Sequence, residues 1–285
     1  MLCNIGHRPT AFRLIHLFRN QKQVEIAGYS AAILIGISLG LIGGGGSILT
    51  VPILVYFFRI DPVIATTYSL FVVGLTSSAG AISHYRKGNV DFQIAFLFGI
   101  PSLIAVFVMR KWIMPAMPHH LLNIGSFEIT KPVLLMLVFA ALMLAASISM
   151  IRKKKEVLVS DPALNYTKLV IQSVVVGIIT GFVGVGGGFL IIPSLILFAG
   201  LPMKKAVGTS LMVMTISSLL GVLGDVSRHA PISYPLLMLF SGFAIAGIIA
   251  GSHLTRYIAE TKLKPAFGWF VLLMGIFISI TTLTK

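Results

Sequence analysis

Residues 26–58 contain no charged side chain, and four consecutive glycines, Gly43, Gly44, Gly45 and Gly46, interrupt them. As one straight helix these roughly 33 residues would reach about 50 Å, against a bilayer hydrocarbon core of about 30 Å. The stretch must tilt, break or fold back. The glycines are the place for it, since each disfavours helix by about 1 kcal/mol relative to Ala. Pro52 has no N–H to donate to the carbonyl four residues earlier, so it suits the start of a new helix.

The same element recurs. GISLGLIGGGGSILTVP at 36–52 is matched by GIITGFVGVGGGFLIIP at 177–193. One constant offset carries Gly36, Gly40, Gly43, Gly45, Gly46, Leu49 and Pro52 onto Gly177, Gly181, Gly184, Gly186, Gly187, Leu190 and Pro193. The register continues downstream, where Ala65, Ser69, Leu70, Val72, Ser77 and Gly80 meet Ala206, Ser210, Leu211, Val213, Ser218 and Gly221. This is an internal duplication. Its repeated unit is a broken apolar segment, the kind of element around which transporters build binding sites.

Further uncharged apolar stretches run over 63–83, 92–109, 132–151, 169–203, 206–224, 232–252 and 265–284. With 56% hydrophobic residues, 11% charged residues and a mean hydropathy of +0.98, the chain reads as an all-α polytopic membrane protein. About eight segments fall into two four-segment repeats, each opening on a glycine-broken segment. The expected division is a basic tail or interfacial helix at 1–25, a first repeat at 26–151, a basic linker at 152–167 and a second repeat at 168–285. The tail could equally be disordered, or follow a start chosen too far upstream. No short apolar core with a cleavage site precedes Glu25, which disfavours a signal peptide.

A net charge of +14 would suggest nucleic acid in a soluble chain. Here the basic residues gather in tails and loops, as Arg8, Arg13, Arg19 and Lys22 do before the first segment and Arg152 to Lys155 do between the repeats. Both clusters suit the cytoplasmic face, and no nucleic-acid partner is expected. That placement leans towards full crossings by the glycine segments with both termini inside, although hairpins with three net crossings per half remain open. Cys3 is the only cysteine, which excludes an internal disulfide and a paired-thiolate metal site. No metal or cofactor is expected, and the adjacent His119 and His120 are weak evidence for a metal.

Helices starting near Ser47 and Phe189 would aim free N–H groups and a positive dipole end at the breaks. An anion can satisfy them. The candidate substrate contacts are therefore Gly43, Gly44, Gly45, Gly46 and Ser47 in one half and Gly184, Gly186, Gly187 and Gly188 in the other. The competing reading is close helix packing, favoured for the outer pairs Gly36/Gly40 and Gly177/Gly181. Ser69, Thr209 and Ser210 are candidate hydroxyl donors, unless they bond to their own helix carbonyls. No charge falls at the centre of a span so delimited, which leaves the backbone as the main anion contact. Titratable groups collect at segment ends, His84 and Arg86 in one half and Asp225 and Arg228 in the other. They are candidates for gating or proton coupling, or simple interfacial anchors.

Together with the AVGTSL string at 206–211 and HYRKGNVD at 84–91, the two glycine segments ending in Pro52 and Pro193 resemble the sulfite exporter TauE/SafE family, also called toluene sulfonate uptake permeases. The similarity covers nearly the whole chain after residue 25. It implies a secondary transporter of the bacterial inner membrane that moves small sulfur-containing anions such as sulfite or organosulfonates, coupled to an ion gradient. Where the second half has AVGTSL the first has ATTYSL, so Thr67 and Tyr68 stand against Gly208 and Thr209. Carriers working through cysteine chemistry are a poor template, because Cys3 lies in the tail. The substrate anion and the lipid bilayer are the expected partners, with homo-oligomerisation open. An anion channel using the glycine breaks as a filter is the alternative. A membrane enzyme is disfavoured, since no catalytic constellation falls within the spans.

Overall fold

The computed structural model describes residues 28–41, 43–118, 120–124, 127–151, 166–226, 233–254 and 260–284. The tail at 1–25, most of the basic linker, His119 and Arg228 lie outside them. The described residues begin with α1 (Gly28–Leu41), a 3-10 helix (Gly44–Leu49) and α2 (Thr50–Tyr56). Helices α3 (Pro62–Arg86) and α4 (Phe92–Val108) follow, and α4 continues through a π-helical turn (Met109–Ile113) into the short α5 (Met114–Ala116). Strands β1 (His120–Ile124) and β2 (Phe127–Thr130) pair antiparallel before α6 (Lys131–Ile151). The remainder is α7 (Tyr166–Val183), α8 (Gly188–Ala199), α9 (Met203–Val226), α10 (Tyr234–Leu254) and α11 (Glu260–Leu283).

The hairpin corrects a purely all-α expectation, although the fold class stands. It sits in the polar stretch between α5 and α6, where the period-3.6 apolar pattern lapses around Asn123 and Glu128. Among the described residues, six helices are long and apolar enough to cross a membrane; α1, Gly46–Tyr56, α8 and Gly268–Leu283 are shorter apolar helices. Exposed Leu34, Ile100, Ile104, Leu223, Leu273 and Ile280 form the kind of outer surface that only lipid can cover without cost.

Both glycine segments fold back on themselves. A Cβ on Gly46 would lie 2.6 Å from the Leu39 nitrogen, and one on Gly28 would strike the Phe58 ring at 2.4 Å, so the chain after Gly43 retraces α1. Gln172 Nε2 reaches Ser194 Oγ at 3.4 Å and Gly187 abuts Thr180, so α8 retraces α7 in the same way. The full crossing that the basic linker favoured is not what these contacts describe. The glycines allow the reversal: Gly43, Gly184, Gly186 and Gly187 all have φ between 71° and 76°, a region costing other residues about 1–2 kcal/mol.

Helices α3 and α9 cross antiparallel at the centre. Thr67 meets Asp225 at one end, Gly74 meets Leu219 and Gly80 meets Leu211 in the middle, and His84 meets Gly208 at the other end. The outer glycine pairs are helix crossings, as the packing reading held. A Cβ on Gly36 would lie 2.0 Å from the Ala244 carbonyl oxygen of α10, and one on Gly177 would lie 2.4 Å from the Ser102 carbonyl oxygen of α4. Helix α6 packs against α11. Asp61 and Asp91 cap α3 and α4, each accepting a hydrogen bond from a first-turn backbone N–H.

Candidate functional site

Helix α8 packs directly on the 3-10 helix that follows Gly43, and both also pack against α9. The leading glycines diverge. Gly43 reaches Val207 and Ile192, whereas Gly184 reaches Thr66 and Arg110. Thr66 and Val207 occupy equivalent positions of the duplicated register. The first break is therefore apolar at its leading glycine and the second is polar there.

Three hydroxyls mark the polar region. Thr180 Oγ1, Ser218 Oγ and Ser69 Oγ are buried without a hydrogen-bond partner, as are Thr50 Oγ1 and Ser241 Oγ elsewhere. Thr180 lies against Gly187, and Ser218 Oγ is 3.2 Å from where a Gly186 Cβ would sit. Ser69 stands three residues after Thr66 and four before Val73, which both touch this break, so it lies on the same stripe of α3. Unsatisfied buried hydroxyls cost about 1–3 kcal/mol each, and most side chains of this type find a partner.

The sequence-predicted donors divide. Ser210 Oγ donates to the Val207 carbonyl of its own helix at 2.8 Å, and Thr209 Oγ1 accepts from the Asp91 N–H at 3.0 Å. Thr209 thereby ties α9 to the α3–α4 loop. Of the three, Ser69 has no hydrogen-bond partner, Thr209 only accepts, and Ser210 donates to its own helix. Ser47 is fully buried, immediately after the first glycine run. The titratable groups separate as well: half-buried His84 and exposed Arg86 lie at one end of the α3/α9 crossing, Asp225 at the other.

One residue overturns the expectation that the spans hold no buried cation. Arg110 is 1% exposed, in the π-helical turn of the continuous span Phe92–Ala116. Its Nη1 donates to Thr66 Oγ1 at 2.9 Å and to Asp225 Oδ2 at 3.0 Å. The same Asp225 oxygen accepts from Thr67 Oγ1 at 2.7 Å. The nitrogens Nε and Nη2 have no partner, and Nη2 would be 2.5 Å from a Cβ on Gly184. The signal in the sequence was the apolar run resuming at Trp112, Ile113 and Met114, which carries the span past Arg110 and Lys111. Among the described residues, no three His, Cys, Asp or Glu side chains cluster to hold a metal.

The family described as sulfite exporter TauE/SafE has a model that matches residues 29–278. The chain belongs to the TauE/SafE family. This TauE/SafE protein is 29% identical over 252 residues to a "Probable membrane transporter protein" of Xylella fastidiosa (strain Temecula1 / ATCC 700964), covering 86% of this chain and 91% of that one. It is 28% identical to the "Probable membrane transporter protein YdhB" of Bacillus subtilis (strain 168), covering 82% and 91%. No solved structure matches it significantly. With six candidate spans and relatives named as transporters, this TauE/SafE chain is a multi-pass membrane transporter.

Proposed function

We propose that the protein is a secondary transporter that moves small sulfur-containing oxyanions, sulfite or organosulfonates, across the plasma membrane by alternating access coupled to an ion gradient. The observation that carries this reading is the concentration of unpartnered buried hydroxyls, Ser69, Thr180 and Ser218, along the second glycine break. An oxyanion offers several acceptors at once, and the N–H groups at the start of α8 add donors from the backbone. The site residues proposed from sequence, the glycine runs with Ser47 and Ser69, stay in this reading. Thr209 and Ser210 join it as supports of the surrounding helices. His84, Arg86, Asp225 and Arg228 are assigned to access routes at the ends of α3 and α9.

The antiparallel crossing of α3 and α9 and the paired hairpins support two inverted repeats with three net crossings each. In that arrangement Arg86, Lys87, Lys204 and Lys205 share one face with the basic linker, and the positive-inside tendency assigns that face to the cytoplasm. This goes against the expectation that the basic tail at 1–25 shares it, since three net crossings separate tail and linker. Rocking of one repeat against the other about the α3/α9 crossing would expose the site alternately.

The reading is tested by a flux screen on purified protein in liposomes, offering sulfite, sulfate, thiosulfate, sulfoacetate, taurine and chloride in turn. Sulfite or a sulfonate is expected to move, with chloride excluded. Chloride flux equal to that of the oxyanions favours the anion channel.

A further inference from the structure

Arg110 carries more donors than its observed partners use. Nη1 is spent on Thr66 and Asp225, whereas Nε and Nη2, which form one side of the guanidinium fork, are buried and unpartnered. That edge is the one suited to two oxygens on a single central atom. Its Nη2 lies against Gly184 and Thr66, where any side chain at position 184 would strike it, so only glycine lets the break run directly past this edge. A cation inside a membrane span is costly and is retained for a partner or a task. Asp225 meets only part of that need, binding end-on through one oxygen that Thr67 also claims.

We propose that the Nε–Nη2 edge of Arg110 is the charge-reading contact for the transported oxyanion, and that Asp225 is the built-in competitor holding the guanidinium while the site is empty. The inference rests on the transporter reading and names the group that selects substrate. With Asp225 in place the pair is close to neutral, so an arriving anion weakens the hold of Asp225 on Arg110. Asp225 lies in the last turn of α9 with its side chain 15% exposed, so it has a solvated position to move towards. Ser69, Thr180 and Ser218 supply neutral donors along the same break. A two-oxygen edge also gives a reason for selectivity: sulfite and a sulfonate offer one oxygen to each donor in two parallel hydrogen bonds, whereas a halide offers one centre shared between both.

The test compares sulfite and chloride binding, by calorimetry or thermal shift, in the full-length protein and in D225N, R110K and the double variant R110Q/D225N. Removing one member of a buried pair strands the other, so R110Q alone is a poor probe; the double variant strands no charge. D225N is expected to bind sulfite about tenfold more tightly and to turn over more slowly, because the competitor that helps expel the anion is gone. R110K is expected to bind about tenfold or more weakly, since an ammonium cannot present the fork. The double variant should remain folded and lose sulfite binding, and no form should bind chloride. A folded double variant that binds sulfite like the parent would overturn the role of Arg110 while leaving the transporter reading intact. Unchanged or weakened affinity in folded D225N would overturn the competitor role. If the parent ignores sulfur oxyanions but binds acetate or phosphate in an Arg110-dependent way, the substrate assignment fails and the contact stands.

Discussion

Gly184 shows how closely backbone and chemistry are joined at this site. At φ +74°, a Cβ there would approach Thr66 Cβ to 2.4 Å and Arg110 Nη2 to 2.5 Å. Gly184→Ala is therefore expected to destabilise the protein by about 2–4 kcal/mol and to abolish sulfite flux in whatever fraction folds. Gly242→Ala, with nothing within 4 Å of the new methyl, should leave flux unchanged; thermal melts and flux on both variants check this. Hydroxyls separate by their partners in the same way. Ser69→Ala removes an unpartnered buried group, so it should reduce sulfite affinity without lowering the melting temperature. Thr209→Val strands the Asp91 N–H and should cost about 1–3 kcal/mol with little change in affinity. At this scale the sequence was legible where glycine spacing spoke and silent where a partner came from afar. Nothing near Arg110 in the chain announces Asp225, 115 residues away. The duplicated register does relate His84 to Asp225 and Thr67 to Gly208, and the structure sets these four in two facing pairs. Arg110 was hidden because a span boundary drawn at the first charge stops one residue short of it.

Among elements, the crossings of α1 with α10 and α4 with α7 depend on small residues. Backbone-to-backbone approach at Gly36, Gly40 and Gly247 leaves no volume for a branched side chain, and the neighbours that would clash are carbonyls and amides that cannot rotate away. Gly36→Val and Gly177→Val are each expected to abolish recovery of folded protein, read as loss of a monodisperse peak in detergent. By contrast, Gly99→Ala faces only Val213 at 3.6 Å and should be recovered normally. These crossings were readable from four-residue spacing alone. The reversal at each glycine run was only half readable: length and glycine content required a break, but whether the chain continued or turned back depended on what α3 and α9 offered it. The β1–β2 hairpin was missed for a similar reason, since two short strands carry too little periodicity to stand out between apolar helices.

For the whole molecule, the proposed inverted repeats would put the α3–α4 loop on one side of the bilayer and the β1–β2 region on the other. With Cys3 replaced by Ser, Lys87→Cys should react with a membrane-impermeant maleimide only in inside-out vesicles, and Pro118→Cys only in right-side-out ones. Labelling of both from the same side would exclude inverted repeats. The central claim is that the molecule couples oxyanion movement to a gradient around a site at the glycine breaks. Its most direct measurement is sulfite accumulation in proteoliposomes under an imposed ion gradient with no sulfite gradient. The account predicts accumulation above the external concentration that collapses when the ion gradient is dissipated and is absent in R110Q/D225N. Sulfite that only equilibrates, whatever ion gradient is imposed, would contradict it.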